Sequence, residues 1–152
     1  MFEDFIDTMS NSSVKTRCFA DDACLLIKGI CPTVMAELMQ AALTKAVQWG
    51  NANSLHFVPS KTVALFFHRK RKFKAPKKLI MSNQVIDYSN TAKYLGVFLD
   101  TRLEFTYHIQ NKVKQAKKLV MALRNAVGAN WGPVPRVLKW AYSGIVLPIV
   151  GY

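Results

Sequence analysis

The sequence predicts an α+β fold in which strands and one helix come first and helices alone come last. Short segments rich in apolar and β-favouring residues, separated by turn residues, dominate residues 14–99. One apolar stripe at helical spacing interrupts them after Pro32, and from Leu103 onward the apolar residues recur at helical spacing alone. The two parts are therefore expected to meet near residue 102.

The composition excludes several classes of protein. The 152 residues include 21 Lys+Arg against 9 Asp+Glu, a formal net charge of +12, and 51% of them are hydrophobic, which is too apolar for a disordered tail. No apolar run approaches the roughly 20 residues of a membrane span, and the acidic opening MFEDFIDTM lacks the basic start of a signal peptide. Cys18, Cys24 and Cys31 lack the spacing of a zinc site, so free thiols in a reducing compartment are expected. A disulfide scaffold, a secreted toxin and a membrane anchor are excluded.

The first predicted element is a hairpin. Residues 14–20 and 23–28 read as strands with Asp21 and Asp22 between them, which places two carboxylates at the hairpin tip. Mg²⁺ takes one or two carboxylates and completes its octahedron with waters and substrate phosphates. The alternative is an ordinary surface turn, which Asp favours for its own hydrogen bonds.

A helix is predicted next. Pro32 suits its first turn, where a missing N–H is harmless, and Gly50-Asn51 is expected to end it. The expected buried stripe consists of Met35, Leu38, Ala42, Ala46 and Trp49.

Three further β elements are predicted before the helical part. A strand is expected over residues 62–67, then a hairpin whose turn is Ser82-Asn83. Another strand is expected over residues 93–99, with Gly96 marking a bulge or a close backbone approach.

The remaining chain is predicted to be helical. One long helix is expected from residue 103, ended by Gly128, and another after the prolines of residues 133–135. Trp49, Trp131 and Trp140 could stack on nucleic-acid bases, although the position of Trp49 on the predicted buried stripe favours core packing for it. The expected buried stripe of the long helix consists of Ile109, Val113, Ala116, Val120, Leu123 and Val127.

Positive charge is concentrated before the second hairpin. A chain this basic attracts polyanions, because each neutralised phosphate releases condensed counterions. The alternatives are a solvated charge run and a nuclear-import address. The cluster consists of Arg69, Lys70, Arg71, Lys72, Lys74, Lys77 and Lys78.

Four blocks follow one another over residues 14–152: RCFADDACLLI, WGNANSLHFVPSKTVALFF, KYLGVFLDTRLEFTYHI and NWGPVPRVLKWAYSGIVLPIVGY. Their motifs, order and spacing resemble the reverse transcriptase of non-LTR (LINE-type, jockey-like) retrotransposons. The resemblance implies that residues 14–102 are the C-terminal half of a polymerase palm, an antiparallel sheet with a packed helix. It also implies that residues 103–152 are an all-helical thumb and that residues 1–13 are a leader without a match.

The same resemblance implies roles for individual residues. Asp21 and Asp22 match the catalytic, metal-binding pair, and Lys61 matches the lysine near the leaving pyrophosphate. The primer-contacting turn matches Tyr94, Leu95 and Gly96. Backbone phosphates of nucleic acid are expected at Arg69, Lys70, Arg71, Lys72, Lys74, Lys112, Lys114, Lys117 and Lys118.

The chain departs from the family pattern in three places. Ser54 stands where the family often has Gly, and Val58 where it often has Asn, both in the loop before Lys61. The family's further metal-binding Asp, in a motif of the form Asp-x-x-x-Ala-Phe/Tyr-Asp, has no counterpart before the hairpin. The chain is therefore expected to be a fragment that binds Mg²⁺ weakly or not at all by itself.

Three hypotheses for function remain open at this point. The first is a fragment of an RNA-directed DNA polymerase, which acts on an RNA template and a DNA primer by two-metal nucleotidyl transfer once the missing N-terminal half is supplied. The second is a non-catalytic, nucleic-acid-binding remnant of such an element. The third is a decayed reading frame without a selected role. No membrane partner is expected, and an intracellular location, in nucleus or cytoplasm, follows.

Overall fold

The computed structural model of the protein describes residues 2–10, 13–69, 76–127 and 131–151. The chain divides into two units, Met1–Ala92 and Lys93–Tyr152, and the α+β class is confirmed. The helices are α1 (Phe2–Met9), α2 (Pro32–Ala52), α3 (Thr106–Asn125), α4 (Pro135–Ala141) and α5 (Leu147–Gly151). The strands are β1 (Val14–Phe19), β2 (Asp22–Ile27), β3 (Ala64–Leu65), β4 (Leu79–Met81), β5 (Gln84–Ile86), β6 (Tyr88–Ser89), β7 (Thr91–Tyr94) and β8 (Val97–Asp100).

The core of the first unit lies between the β1–β2 hairpin and two helices. Helix α1, in a segment to which the sequence assigned no structural role, buries Phe5 and Met9 one helical turn apart. The Phe5 ring lies 4.8 Å from the Trp49 ring of α2, centroid to centroid. Aromatic and aliphatic burial on one side of the hairpin therefore holds α1, α2 and β1 together.

Helix α2 begins at Pro32, as predicted, and buries a broader face than one stripe. Ala42 and Ala46 pack in the cluster under the β1–β2 hairpin, whereas Leu43 packs against β4 and β5. Leu38, predicted to be buried, is exposed. The difference arises because α2 lies between two hairpins and must cover both.

Two small sheets complete the first unit. The predicted β4–β5 hairpin is confirmed, with Ser82 and Asn83 both at positive φ in its two-residue turn. The predicted strand over residues 62–67 is reduced to β3, which pairs in parallel with β6.

The second unit begins within β7 and contains the rest of that strand, β8 and the last three helices. The prediction of a single strand over residues 93–99 is wrong, because Leu95 and Gly96 form a turn between β7 and β8. Strand β8 packs on α3, where the Phe98 N–H donates to Nδ1 of the buried His108 at 3.3 Å. Pro135 begins α4 as predicted, and a π-helical turn over Tyr142–Val146 joins it to α5.

The predicted buried stripe of α3 is wrong for most of its length. Ala116 is buried, but Ile109, Val113 and Val120 are exposed. The buried residues of α3, which packs on β8 and on α5, are His108, which the prediction did not include, and Ala116, which it did. Helix α3 ends at Asn125, and Gly128, its predicted end, lies outside the described residues.

Candidate functional site

Asp21 and Asp22 lie at the exposed end of the β1–β2 hairpin. The register pairs Phe19 with Asp22, which leaves Ala20 and Asp21 as a two-residue turn. The predicted hairpin is confirmed, with one correction: Asp22 is the first residue of β2 and not part of the turn. Ala20 has φ 51°, a left-handed conformation that costs about 1 kcal/mol for a residue with a Cβ.

The hairpin has one packed face and one open face. Successive strand residues point to opposite faces, so buried Val14 and Thr16 define the side toward α2. The directly opposed pair Phe19–Asp22 lies on the other side, where the Phe19 side chain is 64% exposed. The Asp22 carboxylate therefore lies on the open face, and Asp21 lies next to it at the tip.

Asp21 and Asp22 are candidate ligands for a metal ion. Asp21 and Asp22 are both exposed oxygen donors of the kind that Mg²⁺ takes. Within the described residues no group of three His, Cys, Asp or Glu side chains could hold a metal ion. The pair fits a site that is completed by other ligands, such as substrate phosphates, rather than a closed protein site.

The loop that carries Lys61 begins at a fixed helix end. The Leu55 N–H donates to the Gly50 carbonyl at 2.8 Å and the Ser54 N–H to the Asn51 carbonyl at 3.4 Å, the Schellman arrangement. Gly50, predicted to end the helix, lies inside its last turn. A Cβ at this position would meet the Leu55 carbonyl oxygen at 2.6 Å, so only glycine fits without a shift of the backbone. Ser54 takes φ 56°, a conformation in which glycine has no strain.

Lys61 is the last residue of a short 3₁₀ turn, Pro59–Lys61. The carbonyl of Val58 accepts the Lys61 N–H at 3.1 Å and the Thr62 hydroxyl at 3.0 Å. The Lys61 side chain is exposed, and no ion pair between described residues joins it to Asp21 or Asp22. The structure thus places Lys61 in the same unit as the carboxylates without bringing them into contact.

The predicted primer-contacting residues form the β7–β8 turn. Leu95 has φ 46° and Gly96 has φ 84°, so both central residues are left-handed, as the twist of a two-residue hairpin favours. Gly96 adopts this conformation without cost, whereas Leu95 is strained. The tight reversal brings the backbone of Tyr94, Leu95 and Gly96 to the end of the hairpin.

The predicted lysines of α3 do not share one surface. Lys114, Lys117 and Lys118 line a shallow groove along the helix together with the apolar side chains of Val113 and Met121. Spacings of three and four residues place these side chains on neighbouring helical positions. Lys112 is half-buried and lies outside this groove.

Most of the predicted basic cluster lies outside the described residues, namely Lys70, Arg71, Lys72 and Lys74. Arg69 is described and exposed. Lys78 forms an ion pair with Asp87 at 2.8 Å. Its charge is therefore partly compensated within the first unit.

Two cations that the sequence analysis did not select line a second groove. Arg136 and Lys139 lie there with Val137, Trp140 and Ser143 on α4 and the turn after it. The sequence does contain a signal for them, since no Asp or Glu follows Glu104. All Lys and Arg of the last 48 residues (152 − 104) therefore contribute uncompensated charge within that segment.

The three cysteines are free thiols in different environments. Burial raises the pKa of the Cys18 thiol, and burial followed by the nearby Cys18 raises that of Cys24. The backbone N–H groups of Val34 and then Thr33, at the start of α2, lower the pKa of the exposed Cys31 thiol. Cys31 therefore has the greatest thiolate fraction of the three.

No protein-family profile matches the chain, and no solved structure matches it. None of the described helices is long and apolar enough to cross a membrane. The functional comparison therefore depends on curated sequences.

Curated relatives cover most of the chain. The Pol polyprotein from type-1 retrotransposable element R1 4 of Nasonia vitripennis, named as retrovirus-related, is 25% identical over 150 residues, 88% of this chain and 38% of that protein. The probable RNA-directed DNA polymerase from transposon BS of Drosophila melanogaster is 28% identical over 131 residues, 86% of this chain and 14% of that protein. The corresponding protein from the Drosophila melanogaster X-element is 31% identical over 91 residues, 60% of this chain and 10% of that protein.

The chain thus spans 10–38% of the length of these relatives. These relatives are proteins of the family that the four sequence blocks resemble, which confirms the resemblance. The chain is a homologue of the reverse-transcriptase and Pol proteins of non-LTR retrotransposons of the R1 and jockey type, at 20–31% identity.

Proposed function

We propose that the chain is part of an RNA-directed DNA polymerase of a non-LTR retrotransposon and acts on an RNA template and a DNA primer. One observation carries the proposal: a two-residue turn presents Asp21 and Asp22 at the open end of a hairpin whose other face is packed. The homology to polymerase and Pol proteins supports it. In this proposal residues 14–102 are half of the palm and residues 103–152 are the thumb.

Each site residue has a distinct task in the proposed reaction. Asp21 and Asp22 would hold Mg²⁺, which supplies charge stabilisation for the attacking and leaving oxygens of the transfer. The exposed ammonium of Lys61 would neutralise charge on the leaving pyrophosphate or donate a proton to it. The Leu95-Gly96 turn would hold the primer backbone, and α3 would follow phosphates through Lys114, Lys117 and Lys118.

Ligands outside this sequence would complete the metal site in the proposed enzyme. The described residues contain no third metal ligand near the carboxylate pair, and the relatives are several times longer than the chain. Metal position controls a rate that depends on sub-ångström geometry. The 152-residue chain alone should therefore not extend a primer.

A fusion experiment tests this proposal. The chain is joined behind the fingers and first palm half of a related element, and primer extension on an RNA template is measured with Mg²⁺. The fusion should extend the primer, and Asp21→Asn or Asp22→Asn should reduce extension by at least about a hundredfold. Asp87→Asn is the matched control, because Asp87 is an exposed carboxylate that pairs with Lys78. Extension by the isolated chain that Asp21→Asn removes would contradict the fragment argument.

A second candidate is a non-catalytic nucleic-acid-binding remnant. The acid-free, cationic C-terminal segment favours it, because phosphate binding needs neither the metal site nor the fingers. A folded fusion that binds a primer–template but never extends it would favour this candidate. A fusion that binds no nucleic acid would contradict both candidates.

A further inference from the structure

Trp140 is the aromatic residue of α4 and lies in the groove with Arg136 and Lys139. Its exposed fraction is 72%, although tryptophan is usually covered by other residues. Packing within the second unit therefore does not account for its position.

The helix geometry brings a cation and a hydroxyl to the surface that carries the indole. Arg136 precedes Trp140 by four residues and Ser143 follows it by three, so both lie on the same helical surface as the indole. Lys139 is its immediate neighbour. The Ser143 hydroxyl donates to the Trp140 carbonyl at 3.1 Å, which anchors the start of the wider turn directly after Trp140.

Charge decides which kind of ligand suits this groove. An exposed tryptophan alone would suit a protein partner as well as a base. Here Arg136 and Lys139 line the same groove, and no Asp or Glu occurs in residues 105–152 to neutralise them. A flat, apolar surface beside two cations is complementary to a base whose neighbouring phosphates are anionic.

We propose that Trp140 stacks on an unpaired nucleic-acid base while Arg136 and Lys139 bind the phosphates beside it. The ligand is single-stranded nucleic acid, since the faces of bases inside a duplex are already stacked. This inference deepens the proposed function and rests on its nucleic-acid binding. It assigns single strands to α4, whereas the lysines of α3 can bind phosphates of any strand.

The test uses the full chain and three fluorescent probes of about twelve nucleotides, a length within the usual range of single-strand sites. The probes are a single-stranded pyrimidine RNA, the same backbone with abasic positions, and a duplex. Dissociation constants are measured by fluorescence anisotropy for the wild type, Trp140→Leu and Trp140→Tyr. Tyr142→Leu is the matched control, because Tyr142 is an aromatic residue that is 48% exposed but does not line the groove.

Trp140→Leu should weaken binding of the single-stranded probe about tenfold, and Trp140→Tyr should retain most of it. Both variants should bind the abasic and duplex probes like the wild type, and Tyr142→Leu should bind all three probes with unchanged affinity. Replacing Arg136 and Lys139 by Gln should lower the salt dependence of single-strand binding by up to about two units.

Three results with the variants would overturn the inference, and one with the wild type would do so as well. The first is an unchanged affinity of Trp140→Leu for the single strand, and the second is an equal loss on all three probes. The third is that Trp140→Leu changes the particle size measured by light scattering and leaves RNA binding unchanged, which would show that Trp140 contacts another protein chain. If the wild type binds the duplex but not the single strand, this inference fails alone; if it binds neither, the proposed nucleic-acid role fails with it.

Discussion

The side-chain amide of Gln40 makes two hydrogen bonds to the backbone of Ile80. Its Nε2 donates to the Ile80 carbonyl at 2.7 Å, and its Oε1 accepts the Ile80 N–H at 2.7 Å. A neighbouring strand would satisfy the same two groups. The amide therefore joins α2 to β4 and occupies part of the strand edge, which limits further pairing there.

Gln40→Ala should lower the free energy of unfolding by about 1–2 kcal/mol, because it removes two neutral hydrogen bonds and leaves the Ile80 groups to water. Urea denaturation followed by circular dichroism measures the change. Gln48→Ala is the control, since Gln48 is an exposed residue of the same helix, and it should change stability by less than about 0.5 kcal/mol. Equal effects of the two substitutions would contradict the role of the amide.

Thr16→Val should raise the free energy of unfolding by about 1 kcal/mol. Thr16 is 0% exposed, and its Oγ1 has no hydrogen-bond partner among the described residues, so the hydroxyl carries a desolvation cost that a methyl group of similar shape does not. Thr44→Val serves for comparison, because the Thr44 hydroxyl donates to the Gln40 carbonyl at 3.0 Å. A less stable Thr16→Val protein would show that this hydroxyl does find a partner.

Ser54→Gly should raise the free energy of unfolding by about 0.5–1 kcal/mol. Glycine relieves the strain of the left-handed φ of 56°. This gain in stability exceeds the entropic cost of the greater freedom of glycine in the unfolded chain. Thermal and urea unfolding measure it. Ser60→Gly, in the 3₁₀ turn nearby and without a positive φ, should instead lower stability by a similar amount.

Alkylation should distinguish the three thiols. At about pH 7 iodoacetamide should modify Cys31 at least about tenfold faster than Cys24, since the thiolate is the nucleophile. A lowered pKa means that the rate at Cys31 rises at lower pH than for an ordinary cysteine, and the raised pKa of Cys24 moves its rise to higher pH. Peptide mass spectrometry over a pH series measures both rates. Loss of the fast phase in Cys31→Ser is required, and its persistence would contradict the assignment.

Binding of a duplex should depend steeply on salt if the cationic segments contact phosphates. Each lost phosphate contact lowers the slope of log Kd against log salt by about one unit. In the first variant, Gln replaces Lys114, Lys117 and Lys118, and the slope should fall by up to about three units. In the second variant, Ala replaces Lys70, Arg71, Lys72 and Lys74, and the slope should fall by up to about four units.

Lys45→Gln is the control for these two variants, because the Lys45 ammonium already donates to the Thr8 carbonyl. Its slope should stay within about half a unit of the wild type. An unchanged slope in the second variant would leave the basic cluster as a solvated run or an import address.

Local sequence signals determined the elements whose causes are local. The Asp21 turn and the Ser82-Asn83 turn follow from turn residues between apolar segments. The starts of α2 and α4 follow from Pro32 and Pro135, whose ring suits a first helical turn. The family was also accessible from sequence, because four ordered blocks together are far more specific than one tetrapeptide.

Only the tertiary structure decided which surfaces these elements bury. Helix α3 has apolar residues on more than one face, and its packing on β8, on α5 and on the turn before α5 leaves His108 and Ala116 buried and Ile109 exposed. The Gln40–Ile80 pairing joins residues 40 positions apart, and the left-handed turn at Leu95 depends on two strands meeting across it. The periodicity of apolar residues shows which faces of a helix are apolar. Which of these faces is buried depends on the elements from elsewhere in the chain that pack on the helix.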